Sequence, residues 1–405
     1  MKTCLICGNP IDPFISFGKM PIANGFIRKE EFAREYFFEM KVAHCSQCNM
    51  VQLIDQPERE QMFNENYAFF SGTSKFMGQH FKEFADEIKS NIANKKDPFV
   101  VEIGSNDGIM LRNFKNDGIR HLGIEPSKNV ALVAQKDGIN TITEFFDKEL
   151  ARKIVEKEGH ADAFIAANVM CHIPYFHSII EGIDILLNED GIIVFEEPYL
   201  GSVLEKTTYD QIYDEHVFLF SLHSISYAFE KHGFVLFDAV QQETHGGSMR
   251  YYLCRKNTRE ISDNVLALTK HEKEIGIERE QTYLNFRDHC EQAKVKLMGI
   301  IESVRAQGKR IVGYAATSKS TTIINYCGIT DQHLDYICDT TPIKQGKFSP
   351  GAHIPVKPHD EFQKNYPDYA LLFGYNHEKE IMGKEQKFGE NGGKWIVYVP
   401  EITIK

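Results

Sequence analysis

Residues 210–221, "DQIYDEHVFLFS", set Tyr213, Asp214, Glu215 and His216 side by side immediately before an apolar run. Histidine is the side chain best suited to take a proton at neutral pH, and a neighbouring acid or phenol can orient it or donate to a developing oxyanion. Alone, the cluster reads first as a polar turn before a buried segment. Two C-x-x-C pairs are more specific: Cys4 and Cys7 in "CLICG", Cys45 and Cys48 in "CSQCN". Paired knuckles bring four thiolates to the geometry of tetrahedral Zn²⁺ and leave no open coordination position, so a structural zinc is expected. Cys171, Cys254, Cys290, Cys327 and Cys338 lie among apolar neighbours and read as reduced, buried thiols.

A third pattern concerns a cofactor. "FVVEIGSNDGIMLRNF" reads as a strand, a glycine turn at Gly104 and Gly108, then a helix, and such a turn is where doubly wound sheets bind nucleotide-like ligands. The full G-x-G-x-x-G of a dinucleotide site is missing. Glu102 and Asp107 suit a cofactor bearing an ammonium and a sulfonium, and the next strand, "HLGIEPS", ends in Glu125, placed to accept from both ribose hydroxyls. The spacing therefore favours S-adenosylmethionine. Gly104, Ser105 and Asn106 of the turn are expected to contact it, and Tyr67 in "NENYAFFSGTS" to close over it.

The elements that must position these residues follow from periodicity. Residues 74–92 carry apolar side chains at helical spacing, including Phe76, Met77, Phe81, Phe84 and Ile88. From Phe99 onward, "FVVEIG", "HLGIEP", "DAFIAANV" and "GIIVFEEP" alternate with helix-like segments, which indicates βαβ units and a parallel sheet. A charged stretch over about 259–307 reads as one or two long helices, and a second α/β series follows it. The expected fold is α/β in three parts: a zinc-binding module at 1–65, a Rossmann-like central domain at 66–258, and linker helices with a Rossmann-like C-terminal domain at 259–405.

Composition sets limits. The chain has 405 residues, 42% apolar and 25% charged, with a net charge of −11 and no basic run, which argues against a nucleic-acid partner. No apolar stretch approaches the roughly 20 residues of a membrane span, and the N-terminus shows no apolar stretch of signal-peptide length, so a cytoplasmic protein is expected. Nothing in the sequence speaks to oligomeric state.

In order along the chain, the paired C-x-x-C with "MPIAN", then "VEIGSNDG", "GIEPS", "NVMCHIP", "EEPYLG", "DQIYDEHVFLFS", "THGGSMRYYL", "NYCGI" and "SPGAHIPV" resemble the zinc-containing, S-adenosylmethionine-dependent C-methyltransferases of nucleotide-linked deoxysugars. The resemblance covers nearly the whole chain. It implies a class I methyltransferase central domain, with Asn168 among the cofactor contacts. It implies His216 as general base with Tyr213 and Glu215 beside it, and His172 facing the substrate. The substrate it implies carries a keto group at C4 of the sugar and is methylated at C3. A ring carbon becomes a nucleophile only as an enolate, so a base and an oxyanion donor are both required. Glu215 or Asp214 would then orient the imidazole, and Tyr213 or His172 would donate to the enolate oxygen.

For the substrate, His245 is expected to be a contact; Ser248 and Arg250 after its turn, and Ser318 and Lys319 after a strand, are expected to reach phosphate; Asn325 is expected to line the same pocket. The C-terminal string "GYAATSKSTT" keeps Gly313, Lys319 and Asn325 of the family pattern but has Ala315 and Ser320 where glycines are usual. That departure bears on which nucleotide or sugar is bound more than on the reaction. An O- or N-methyltransferase is the alternative; a dinucleotide-dependent oxidoreductase would need a glycine motif that neither α/β domain has.

Overall fold

The computed structural model describes residues 2–58 and 75–405; Tyr67 lies outside them. The N-terminal module is a four-stranded antiparallel sheet of Pro13–Pro21, Phe37–His44, Val51–Leu53 and a fourth strand, Phe218–Leu219, lent by the middle of the chain. The two cysteine knuckles flank it. The helix Lys75–Asn91 follows, burying Phe81, Phe84, Ala85 and Ile88. Phe76, counted with the apolar face, is instead 50% exposed at the start of the helix.

The central sheet has seven strands. Phe99–Ile103 lies in the middle, with Arg120–Ile124 and Thr141–Ile142 on one side and Ala161–Ala167 and Leu187–Pro198 on the other. These five run parallel; Ser248–Arg255 pairs antiparallel with Leu187–Pro198, and Phe234–Gln242 pairs antiparallel with Ser248–Arg255 at the edge, so of the seven only Ser248–Arg255 is reversed. "FVVEI" is buried at every position, as expected of a strand covered on both faces by helices. The chain first builds outward to one side of Phe99–Ile103 and then returns to the other, so a crevice opens at the carboxyl end of this strand.

Two helices, Asp263–Ile275 and Glu280–Ala306, occupy the charged stretch. The second is no simple linker. Its Tyr283 ring packs 5.1 Å from Phe14 and stacks 4.1 Å from His44, so it is part of the core shared by the zinc module and the C-terminal domain. That last domain repeats the central plan: Ile311–Tyr314 is central, with Ile337–Asp339 and Val356–Pro358 on one side and Tyr369–Leu372 and Lys394–Val397 on the other, all parallel, and Thr403–Ile404 antiparallel at the edge.

Candidate active site

The crevices of the two α/β sheets open into one cavity of about 490 Å³, closed on a third side by the residues before Phe218–Leu219. On the central-domain wall, Gly104 holds φ +61°, and a Cβ there would sit 2.2 Å from Val169 Cγ2, so only glycine fits the turn. Glu125 Oε2 accepts from the Asn106 N–H at 3.0 Å and Oε1 from the Ser127 N–H at 2.7 Å. Burial pushes this carboxyl up and the backbone bonds oppose that push. A glycine cradle with an acid at the end of the second strand fits S-adenosylmethionine: room for a ligand against the backbone, and a carboxylate at the ribose position. Gly104, Asn106, Glu125 and Asn168 line the cavity. Glu102, Ser105 and Asp107 lie behind the turn, off the lining, and Glu102 is pushed far up by burial and by the charges of Glu125 and Asp107.

The third side carries the opening cluster. Val217, Phe218 and Phe220 are buried, and the pairing of Phe218–Leu219 with Val51–Leu53 fixes the turn before them. His216 is 4% exposed, and its Nδ1 lies 2.6 Å from the Gln211 carbonyl oxygen. A carbonyl only accepts, so Nδ1 carries the proton and Nε2 holds a lone pair. Burial, followed by the neighbouring His172, holds this imidazole well below its ordinary pKa and therefore neutral. The Tyr213 ring lies 4.0 Å from it and the His172 ring 5.3 Å. His172 is also neutral, lowered to about 3 by burial. The expected orienting role of the acids is corrected here. The tautomer is held by a backbone carbonyl, while Asp214 Oδ1 accepts from the Ala23 N–H and Glu215 Oε1 from Asn24 Nδ2, both at 2.8 Å. The two acids grip the zinc-module loop.

On the C-terminal wall, Asp339 ends the second strand as Glu125 does, and it repeats the same bonds. Its Oδ2 accepts from the Ala316 N–H at 2.7 Å and its Oδ1 from the Thr341 N–H at 2.7 Å. Ala315, the residue in place of glycine, holds φ +72°. Ser318 and Lys319 start the helix Ser318–Cys327 and face the cavity. Lys319 is lowered to about 8 by burial, against the raising effect of Asp210, and its Nζ donates to the His245 carbonyl at 3.3 Å. Lys344, which sequence reasoning missed, donates to the Ala316 carbonyl at 2.8 Å from the same wall. Gln211 Oε1, His245 Nε2 and Asn376 Oδ1 are buried on this lining without a partner among the described residues. Asp339 had a sequence signal, since "YICD" ends as "LGIE" does; a lone loop lysine has none.

Three expected substrate contacts lie elsewhere. Ser248 Oγ donates to the Thr244 carbonyl at 3.2 Å. Arg250 sits directly across the sheet ladder from Glu196 and pairs with it at 2.8 Å, with Glu87 at 2.6 Å, its guanidinium 3.9 Å above the Phe84 ring. Asn325 Nδ2 donates to the carbonyls of Thr321 and Pro350, and none of the three lines the cavity. Arg250 neutralises a buried acid under the sheet instead of meeting phosphate.

The four cysteine sulfurs lie within 4.8 Å of one another, Cys4 to Cys48 at 3.5 Å and Cys7 to Cys45 at 3.3 Å, and all are free thiols. Zinc–sulfur bonds of about 2.3 Å place tetrahedral sulfurs roughly 3.8 Å apart, so the residues fit the ion. Both knuckles turn alike, the Gly8 N–H donating to the Cys4 carbonyl at 2.9 Å and the Asn49 N–H to the Cys45 carbonyl at 2.8 Å. No cysteine of the four lines the cavity.

Residues 4–63 match the family model of a zinc binding domain, 76–238 that of a methyltransferase domain, and 243–400 that of a C-methyltransferase C-terminal domain. The C-methyltransferase NovU of Streptomyces niveus is 33% identical over 405 residues, covering 99% of this chain and 96% of the relative. Among solved structures, the magnesium protoporphyrin IX methyltransferase of Synechocystis PCC 6803 matches at 15% identity over 45% of this chain and 89% of its own, with a TM-score of 0.35. An S-adenosylmethionine-dependent methyltransferase of Clostridium acetobutylicum matches at 10% over 43% and 92%, also at 0.35. Fold, cradle and zinc module define an S-adenosylmethionine-dependent methyltransferase with a structural zinc. The chain belongs to the C-methyltransferase family to which NovU gives a curated member.

Proposed function

We propose that the protein methylates C3 of a nucleotide-linked 4-keto-deoxysugar through an enolate, with His216 as the base. The observation that carries this reading is the His216 imidazole itself: buried, neutral, its Nδ1–H tied to the Gln211 carbonyl and its ring on the wall of a cavity shared by both α/β domains. In this reading Nε2 takes the C3 proton, and the Gln211 carbonyl stabilises the imidazolium that forms. Tyr213 and His172, whose rings lie 4.0 and 5.3 Å from that of His216, would donate to the enolate oxygen at C4. Bound S-adenosylmethionine supplies the electrophilic methyl. Lys319 and Lys344 give the C-terminal wall positive charge and Ser318, at the start of its helix, adds a hydroxyl, a combination that suits a diphosphate. The open atoms of Gln211, His245 and Asn376 suit sugar hydroxyls or a base edge.

The test uses a 4-keto-6-deoxy nucleotide sugar in D₂O, with and without S-adenosylmethionine, followed by NMR and mass spectrometry. Deuterium at C3 without cofactor, a gained methyl with it, and loss of both in His216→Ala support the proposal. Methyl gain at oxygen or nitrogen, with no carbon-bound deuterium, sinks it.

A further inference from the structure

Cys171 has no part in the reaction proposed above, yet it stands with two residues that do. Its sulfur, one ring nitrogen of His172 and one of His216 all lie within 4.8 Å of one another. Each is held from a defined backbone. Cys171 and His172 belong to the short turn Met170–His172, where the N–H groups of Val169 and Met170 donate to Glu197 Oε1 at 2.9 and 2.7 Å. His216 is oriented by the Gln211 carbonyl at 2.6 Å, and a carbonyl bound to one ring nitrogen is the usual device for aiming the other at a metal.

The donor set is one thiol and two imidazoles, which suits zinc and its softer neighbours; magnesium and calcium require oxygen. Tetrahedral zinc holds such donors about 3.3–3.6 Å apart, given bonds of about 2.0–2.3 Å. Binding would draw the present set in to that spacing from within 4.8 Å. His172 and His216 line the cavity, so a fourth coordination position would face substrate space. The four-cysteine centre, by contrast, is coordinatively complete.

We propose that Cys171, His172 and His216 form a second metal site, separate from the cysteine knuckles, which takes a thiophilic divalent cation such as Zn²⁺ and stops methyl transfer by occupying the His216 ring. On binding, the sulfur–hydrogen bond breaks and a sulfur–metal bond forms. The proton passes to the adjoining Glu197 carboxylate or to water, and no electron is transferred. The inhibitory half rests on His216 acting as the base; the binding half does not.

The test adds Co²⁺ to the zinc-loaded protein. One cobalt per chain should bind beyond the zinc of the four-cysteine cluster, with a near-ultraviolet thiolate-to-cobalt charge-transfer band, and methyl transfer should fall to background as the band saturates. Cys171→Ser should lose the band and need at least about 10-fold more metal for half-inhibition. His172→Asn should weaken binding by a similar factor, which keeps the test alive if the cysteine variant misfolds. The absence of a band, or its persistence in Cys171→Ser, overturns the site, the latter because it would place cobalt in the knuckles. Cobalt bound with undiminished turnover overturns the inhibitory half alone. The reading of His216 as base fails separately, if solvent exchange at C3 survives in His216→Ala.

Discussion

Single residues are decided here by where burial leaves a proton. His172 and His245 are each held at about 3 by burial, against an unfolded value near 6.5. Below pH 6.5 the unfolded chain therefore binds protons that the folded chain refuses, and stability falls with pH by about 1.4 kcal/mol per pH unit for each imidazole. Glu197 and Glu272 act the other way. Burial raises both to about 7, so the folded state holds their protons more tightly and gains stability as pH falls from 7 towards 4.5. The opposing pairs offset one another in that window, and the histidine loss is uncovered below it. His245→Asn, whose side chain tolerates the φ of +53° at this position, should give a shallower decline in denaturation midpoint below pH 4.5 than the parent. An unchanged slope would mean that His245 titrates normally. Gly104→Ala is the second expectation at this scale. The 2.2 Å approach to Val169 and the positive φ should cost at least about 1–3 kcal/mol, and isothermal titration should show S-adenosylmethionine binding lost or strongly weakened.

Among the elements, the helix Lys75–Asn91 is locked to the central sheet by a buried polar network. Glu196, on Leu187–Pro198, accepts from Arg250 and from Thr244 Oγ1 at 2.8 Å and meets His80 Nε2 at 2.8 Å. Burial favours protonation of this acid, but the His80 bond and the Arg250 charge outweigh it and hold the group at about 2. Arg250→Met leaves a carboxylate buried without its cation and should cost about 3–5 kcal/mol, read as a lowered denaturation midpoint. If Arg250 instead gripped phosphate, KM would rise with stability unchanged. The network also positions function, since Thr244 precedes His245 at the cavity wall.

At the scale of the whole molecule, the zinc module and the segment that follows His216 share a sheet. Phe218–Leu219 pairs with Val51–Leu53, and Asp214 and Glu215 hold the loop at Ala23 and Asn24. Chelating the zinc should therefore reduce methyl transfer sharply while leaving S-adenosylmethionine binding less affected, because the cofactor wall is built by the central sheet. Calorimetry of cofactor binding beside an activity assay, both before and after chelation, checks this; equal loss of the two would mean that the module supports the whole fold indiscriminately.

Much of this protein was legible without its structure because the informative patterns are local. Two cysteines three apart make a knuckle, a glycine turn after a buried strand makes a cofactor cradle, and alternating apolar runs make parallel sheets; each depends on neighbours along the chain. Gly104, Glu125, His216 and Lys319 line one cavity. What depended on distance was hidden. Arg250 resembles a phosphate contact until the strand register sets it opposite Glu196. Glu215 resembles a histidine partner until the fold brings Asn24 to it across nearly two hundred residues. Lys344 and Cys171 carry no local signal and acquire meaning only from what surrounds them. Sequence by itself determined which elements form and which cofactor and metal they can hold, since backbone conformation and ligand spacing are short-range properties. Tertiary structure alone decided which polar groups meet the cavity and which are consumed in neutralising one another, because buried charges must be paired with whatever partner packing delivers.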